Sequence, residues 1–285
     1  MTYFLLVVSC ASLVFSPSVS ADGQLLGTAG ATQLEGAGGG GLVPWAVLTG
    51  YGTETEWGAS ASATRVRSDD YTLTSLGTAL TWRNRIEVSI ARQELDIGSL
   101  SGALGIPTDS VLRQNIFGVK VRAVGDLIYG PLPQVSFGAQ YKVHQDFAIP
   151  SIAGAREDAG YDFYVAASRL LLNGPFGRSL LLNGTLRTTG ANQMGLLGFG
   201  GDLGERTLLA EASAALLLNR RTVVGVEYRQ KPDNLSFAQE DDWLDIFGAY
   251  FFNKHLSAVA AYASLGDIAT LEDQRAVYVS IQGSF

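Results

Sequence analysis

The sequence predicts an all-β fold, namely a single transmembrane antiparallel up-and-down β-barrel with short periplasmic turns and longer outer loops. Three features point to it: an apolar composition without a run long enough for a spanning helix, segments that alternate apolar and polar residues, and connections that alternate in length. A two-faced ribbon that closes on itself leaves no unpaired backbone edge in the membrane. We therefore expect its apolar face to meet lipid and its polar face to line the interior.

The composition is that of a membrane protein without transmembrane helices. Of the 285 residues, 47% are hydrophobic and 16% charged, whereas a soluble domain averages about 25% charged. After residue 21, no apolar run approaches the ~18 residues of a spanning helix. The 34 glycines and two methionines favour β-structure, and the net charge of −7, without any basic run, argues against a nucleic-acid partner.

The first 21 residues read as a cleaved signal peptide. Residues 4–15 are almost wholly apolar, and Val19-Ser20-Ala21 supplies small residues before a cleavage point, although no Lys or Arg precedes the apolar run. The alternative, an N-terminal membrane anchor, is too short to span a bilayer. The only cysteine, Cys10, lies in this segment, so residues 22–285 have no disulfide and no thiolate chemistry.

The alternation has a period of two in segments of about ten residues, as tilted membrane strands require. In residues 134–144, Val135, Phe137 and Tyr141 share one face, while Gln140 and Lys142 share the other. Residues 85–93, 208–216 and 222–231 repeat the pattern. We expect fourteen strands if residues 24–34 and 42–51 both belong to the barrel, with twelve as the alternative. Residues 22–41 form either a first hairpin or a glycine-rich plug.

Short connections near 83–85, 173–178, 219–221 and 253–255 alternate with longer ones near 97–112, 147–159, 191–206 and 232–241. The short turns are basic, and we expect them to meet anionic lipid headgroups of the inner leaflet.

Aromatic residues near the strand ends predict two interfacial girdles. Those expected at the short-turn side are Trp82, Phe176, Phe251, Phe252 and Phe285, and those at the long-loop side are Tyr71, Phe147, Tyr161, Tyr228 and Trp243.

The last segment alternates up to a terminal aromatic residue: Val277, Val279, Ile281 and Phe285 share one phase. It resembles the C-terminal strand of bacterial outer-membrane barrels, whose terminal aromatic residue is a signal for the barrel assembly machinery. The resemblance implies the outer membrane of a Gram-negative cell as the location, and that machinery and outer-membrane lipids as partners.

Candidate chemistry is sparse. The glycine-rich stretches 36–41 and 198–204 lack the P-loop lysine and the full dinucleotide fingerprint. His255 and Ser257 have a spacing similar to that in outer-membrane phospholipases, but Ala258-Val259 replaces the usual Asn-Gly. Lipid hydrolysis is therefore only a remote alternative, and we expect no enzyme activity, cofactor or metal site.

The inward phase carries charges of both signs, which line either a water-filled channel or a closed salt-bridged lumen. We expect a passive, porin-like channel for small solutes, with a closed structural or docking barrel as the alternative. The predicted lumen-lining residues are Glu87, Lys120, Arg122, Lys142, His144, Arg187, Glu211, Glu227 and Arg229.

Four stretches also carry a family resemblance: 25–28 (LLGT), 33–46 (QLEGAGGGGLVPWA), 69–73 (DDYTL) and 85–93 (RIEVSIARQ). They resemble a bacterial family of unknown function whose members are expected to be outer-membrane barrels. The likeness covers nearly the whole chain after residue 21. It implies the barrel fold and supplies no substrate or activity.

Overall fold

The computed structural model describes residues 26–27, 30–100, 107–236, 240–268 and 271–285. The predicted signal peptide lies outside these residues. No helix in the described ranges is long and apolar enough to cross a membrane. A five-residue helix, α1, covers Ala148–Ile152, and 3-10 turns cover Gly98–Leu100, Pro175–Gly177 and Asn192–Gly195.

Within the described residues, twelve antiparallel strands form a closed barrel. Each strand pairs with its neighbours in sequence, and the ring closes where the last strand pairs with the first, as between Val279 and Arg65. The barrel strands are β3 (Trp57–Ser68), β4 (Thr72–Trp82), β5 (Ile86–Asp96), β6 (Val111–Val124), β7 (Gln134–His144), β8 (Ala159–Leu171), β9 (Ser179–Thr189), β10 (Thr207–Leu217), β11 (Thr222–Arg229), β12 (Trp243–Phe251), β13 (Leu256–Ile268) and β14 (Leu271–Ser284).

The closed antiparallel barrel is confirmed, with the alternative count of twelve strands rather than the favoured fourteen. Residues 30–51 do not join the wall but lie inside the barrel, where β1 (Ala31–Thr32) and β2 (Gly38–Gly39) form a separate two-stranded hairpin. Because β3 pairs directly with β14, the wall has no place for strands before residue 57. The plug, as we call residues 30–51, is buried on every side, so its side chains show no two-residue alternation.

The alternation predicted for the wall is present. In β14 the outward residues Val277, Val279 and Ile281 are about half exposed, whereas Tyr278 and Ser280 between them are buried. At the β4–β5 turn, Arg83 and Asn84 both adopt positive φ, and the Arg85 N–H donates to the Trp82 carbonyl at 3.0 Å. Positive φ at both central residues suits the right-handed twist of paired strands.

The connections sort by barrel end with three exceptions, namely the long connection 125–133 at the short-turn end and two short connections at the long-loop end. The end that holds both Trp57 and Phe285 has connections 83–85, 125–133, 172–178, 218–221 and 252–255. The opposite end has the longer connections 97–110, 145–158, 190–206 and 230–242, together with the two short ones 69–71 and 269–270. The short outer connections flank β14, β3 and β4, so the outer rim is low on that side.

Candidate functional site

Glycines let the plug fold tightly against the wall. A Cβ at Gly39 would lie 2.4 Å from the Val43 carbonyl oxygen, and one at Gly40 would lie 1.9 Å from the Glu227 Oε1 atom. The neighbours at Gly39 are backbone atoms that cannot move aside, so this position needs glycine, whereas a Cβ at Gly40 would displace the Glu227 carboxylate from its hydrogen bonds to the plug. The glycine-rich stretch is therefore a compact turn inside the lumen rather than a nucleotide loop.

Three cations of the wall surround the plug residue Glu35. Lys142 of β7 contacts its Oε1 atom, Arg229 of β11 approaches Oε2 at 3.2 Å, and Arg187 of β9 lies 3.4 Å from Oε2. The side chains of Glu35, Lys142 and Arg187 are fully enclosed. A carboxylate buried this deeply requires such partners, because an unpaired buried charge is strongly unfavourable.

Two further carboxylates complete this cluster. Asp162 lies 2.7 Å from Lys142 Nζ and 3.2 Å from Arg187 Nη1. Glu211 accepts from Arg187 Nε at 2.6 Å. We call Glu35, Asp162, Glu211, Lys142, Arg187 and Arg229 the central ionic cluster. It holds three acids and three bases and is therefore formally neutral. It joins the plug to β7, β8, β9, β10 and β11.

A second anchor grips the plug backbone through an ion pair of β5 and β6. Lys120 Nζ lies 3.3 Å from Glu87 Oε1 and donates to the carbonyls of Gly38 and Val47, each at 2.7 Å. The Glu87 carboxylate accepts the N–H groups of Gly38 at 3.0 Å and Thr49 at 2.7 Å. The pair thus satisfies donors and acceptors on both arms of the plug.

A third anchor is Glu227 of β11, which accepts the N–H groups of Gly41 at 2.6 Å and Leu42 at 2.7 Å. Ser213 also donates to this carboxylate, at 2.8 Å, and accepts the Trp45 indole N–H at 2.9 Å. Charge-assisted bonds of this kind are stronger than neutral ones. The plug backbone is therefore fixed at several points along one side of the lumen.

The connection 190–206, which we call the mouth loop, folds into the lumen above the plug. Gln114 and Lys142 both donate to the Met194 carbonyl at 3.2 Å, and the His144 ring lies 2.9 Å from the Leu196 carbonyl oxygen. Gln193 accepts from Lys231 at 2.8 Å. The backbone of the mouth loop, which is hydrogen-bonded to the wall, thereby narrows the opening of the lumen at the long-loop end.

Lys231 and Glu240 form a buried ion pair that also holds the mouth loop, because Glu240 accepts the Gln193 N–H at 2.9 Å. Burial lowers the pKa of Lys231 and raises the pKa of Glu240, and each partner's charge opposes the shift of the other. Both groups thus lose hydration on entering this contact, and their mutual attraction offsets part of that cost.

The opposite side of the lumen is apolar. The inward positions of β12 and β13 are mostly aromatic or aliphatic, in contrast to the charged side, whereas β14 places Ala276 and Tyr278 inward together with the polar Gln274, Ser280, Gln282 and Ser284. Buried side chains there are Trp243, Phe247, Ala249, Phe251, Val259, Ala261, Ala263, Leu265, Ala276 and Tyr278. Tyr71 is also buried at the long-loop end. Three aromatic residues expected in the lipid-facing girdles, Tyr71, Trp243 and Phe251, therefore face inward.

Two cavities border the plug, and both reach this apolar side at β12 and β13. The upper cavity, of about 50 Å³, is near the long loops and is bounded by Leu34 and Leu42 of the plug and by Leu73, Trp243 and Leu265 of the wall. The lower cavity, of about 30 Å³, is near the short turns. Along β12, Asp245 lines the upper cavity, and Phe247, the next inward residue, lines the lower one.

The upper cavity carries polar atoms without partners. Four side chains that line it have a buried nitrogen or oxygen with no hydrogen bond to any described residue: Gln193 Nε2, Trp243 Nε1, Asp245 Oδ1 and the Tyr278 hydroxyl. Unsatisfied groups are rare in protein interiors. Their convergence on one apolar cavity is the pattern of a small-molecule site, in which a few polar groups orient an apolar ligand.

The structure places eight of the nine predicted lumen residues against the plug, the mouth loop or the ionic cluster. The ninth, Arg122, faces inward at the short-turn end, where it donates to the Gly125 carbonyl at 3.0 Å and to Asp126 at 3.1 Å. Sequence reasoning missed Glu35, Asp162 and Asp245. The alternation of β8 and β12 contains the signal for the two aspartates, whereas no periodicity marks Glu35.

The His255–Ser257 pair does not resemble a catalytic dyad. His255 is exposed in the turn, its Nδ1 lies 3.1 Å from the Ser284 carbonyl oxygen, and its ring stacks on Phe285 at 5.5 Å. Ser257 is buried on the lumen side of β13. No hydrogen bond joins the two side chains within the described structure, so the imidazole orients the chain end instead.

Solved structures of outer-membrane proteins are similar to this barrel at low sequence identity. The KdgM porin is 9% identical, with a TM-score of 0.51 over 79% of this chain and 99% of that one. The outer membrane protein Omp33 of Acinetobacter baumannii is 11% identical (TM-score 0.46; 82% and 100% covered). An active-site variant of outer membrane phospholipase A from Escherichia coli is 8% identical (TM-score 0.39; 79% and 89% covered).

No curated protein matches the chain in sequence. The likeness to the KdgM porin shows that the fold is that of an outer-membrane β-barrel. A family model matches residues 28–282, which include both the plug and nearly all of the barrel wall. The chain belongs to the DUF3034 family of proteins of unknown function.

Proposed function

We propose that the chain is a plugged outer-membrane channel that passes small, weakly polar solutes along the apolar side of its lumen. The observation that carries the proposal is the pair of apolar cavities at opposite ends of the lumen. They share the walls of β12 and β13, where Asp245 and Phe247 are consecutive inward residues of β12 and only Ala261 lies between the two linings on β13. A modest movement of Phe247 would join them into one path.

The unpaired groups of the upper cavity support the solute class. The Trp243 and Gln193 N–H groups can donate, Asp245 can accept and the Tyr278 hydroxyl can do either. A small molecule with a hydroxyl or carbonyl group on an apolar body would satisfy them. Hydrated ions and polyols find no comparable lining on this side, and the charged side is closed by plug contacts.

The second candidate is a closed structural or docking barrel, the function favoured by the many anchors of the plug. Under that alternative the ionic cluster has only a structural role in the barrel interior, although ion pairs usually stabilise a protein interior less than apolar packing does. We assign no catalytic role to His255 and Ser257, because the His255 ring contacts the Ser284 carbonyl oxygen rather than the Ser257 hydroxyl.

Proteoliposome swelling separates these functions. Butanediol and erythritol share a four-carbon chain, but erythritol has two more hydroxyl groups. We expect the protein to raise the butanediol influx above that of protein-free liposomes and to leave the erythritol influx unchanged. No increase for either solute would favour the closed barrel, and equal increases would indicate an open hydrophilic pore.

A further inference from the structure

The outer surface of the barrel carries a cluster of arginines at the long-loop end. Its members, which we call the arginine patch, are Arg65, Arg67, Arg92, Arg113 and Arg275. All five are exposed and occupy the outward phase of their strands, which are β14, β3, β5 and β6. They do not line the lumen, so solute passage does not explain them.

Strand register shows that the patch is continuous. Arg65 pairs with Thr74 of β4, Thr74 with Glu94 of β5, and Glu94 with Arg113 of β6. Arg65 and Arg113 are therefore three strand spacings apart, or about 14 Å. Arg67 lies one outward position, about 7 Å, above Arg65.

The patch lies directly above the apolar belt. One outward step below Arg92 is Ile90, which pairs with Phe117, and one step below Arg275 is Val277. A charged side chain on the lipid face is unfavourable at the membrane centre, but the cost falls to about 0–1 kcal/mol near the interface. The patch thus sits at the depth of the outer-leaflet headgroups.

Protein carboxylates neutralise only part of the patch. Glu94 accepts from Arg92 at 2.9 Å and lies 3.4 Å from Arg113. Other exposed acids beside the patch include Asp96, Asp69, Asp70 and Asp273, and Asp96 Oδ1 already accepts the Gly98 N–H. Across the described residues, no acid lies within ion-pair distance of Arg65, Arg67 or Arg275. Three guanidinium groups are thus free to bind an external anion.

The rest of the circumference differs at the same height. There, outward positions hold Tyr141, Tyr161, Tyr228 and Leu244, and Arg206 donates to the Tyr161 carbonyl and stacks on Phe163. The outer connections 69–71 and 269–270 beside the patch are also the shortest at that end. A bulky headgroup can therefore reach Arg65, Arg67 and Arg275 without passing a long loop.

We propose that the arginine patch binds the phosphorylated sugar headgroup of lipopolysaccharide in the outer leaflet. Guanidinium groups bind phosphate oxygens through paired hydrogen bonds, and an area of about 14 by 7 Å suits a headgroup with more than one phosphate. Thr72 and Thr74, which lie between β3 and β5 in the outward phase, add hydroxyls that can bind sugar oxygens.

The test uses the full-length mature protein in phosphatidylcholine nanodiscs, with purified lipid A as the probe and native mass spectrometry as the readout. The variant R65Q/R67Q/R275Q removes the three unpaired guanidinium groups. Its matched control, R178Q/R220Q/R221Q, removes three exposed arginines at the short-turn end. Heat-modifiable gel migration verifies that each variant is folded.

We expect the wild type and the control to retain lipid A, and the patch variant to bind at least about tenfold more weakly, given about 1 kcal/mol per basic residue near anionic lipid. R65K/R67K/R275K, which keeps the charge but loses the paired donors, should be intermediate. Dephosphorylated lipid A should bind weakly to all proteins. Equal retention by the patch variant, an equal loss in the control, or undiminished binding of the dephosphorylated lipid would overturn the proposal.

Discussion

The two sides of the lumen hold the plug by different physics. On the side of β5 to β11, carboxylates, cations and hydroxyls bond to the plug at defined distances, as at Glu35, Glu87 and Glu227. On the side of β12 to β14, the contacts are apolar and leave two cavities. Directional bonds fix a register, whereas apolar contacts tolerate movement. The difference suggests a plug that is fastened on one side and yields on the other.

Removing the plug should have the largest effect, which is on ionic conduction. Deletion of residues 30–51 should convert a poorly conducting barrel into one with a stable ionic current, because the lumen charges would then face water. Planar-bilayer recording measures the current, and heat-modifiable migration verifies that the barrel is closed. A folded deletion variant without current would show that the wall or the mouth loop alone seals the lumen.

The next largest effect should come from weakening the polar contacts between the plug and the wall. Glu35→Gln leaves Lys142, Arg187 and Arg229 with one carboxylate fewer, and breaking such a buried pair typically costs about 3–5 kcal/mol. Urea unfolding in detergent and amide exchange of the plug should both report the loss. The control, Glu54→Gln, changes an exposed acid just after the plug and should be nearly neutral. Equal behaviour of both variants would mean that the cluster does not anchor the plug.

Opening the apolar side should affect passage more than stability. Phe247→Ala should join the two cavities and raise the butanediol influx severalfold, at a cost of about 3 kcal/mol, the lower end of the range for Phe→Ala, because a ring that borders empty space has fewer contacts to lose. The lipid-facing Phe137, which is 57% exposed, provides the matched control: Phe137→Ala should leave the influx unchanged. An unchanged influx in Phe247→Ala would place the path elsewhere.

The smallest effect concerns the glycines of the plug. Gly40→Ala forces the new Cβ against Glu227 and should destabilise the plug by about 1–3 kcal/mol, as overpacking does. At Gly184, on the outer face of β9, a Cβ meets nothing within 4 Å, so Gly184→Ala should stabilise the strand by about 0.5–1 kcal/mol. Thermal unfolding of the two variants should therefore shift in opposite directions, and a shift of the same sign would contradict the close approach at Gly40.

The sequence alone determined the wall of this protein. A period of two in segments such as 134–144 specifies which side chains meet lipid, since successive residues of a strand point to opposite faces. The inward phase of Lys142, Arg187 and Glu227 followed from that pattern, as did the sorting of connections. The same rule, applied to β8, would also have placed Asp162 in the lumen.

Only the tertiary structure decided how the interior is filled. Residues 30–51 contain short apolar runs that resemble strands, and nothing local distinguishes a strand of the wall from a segment enclosed by it. The contact of Glu35 with Arg229 joins residues 194 positions apart, and no local pattern marks Glu35 as its partner. Such placements depend on the volume left after the ring closes, which no local pattern records.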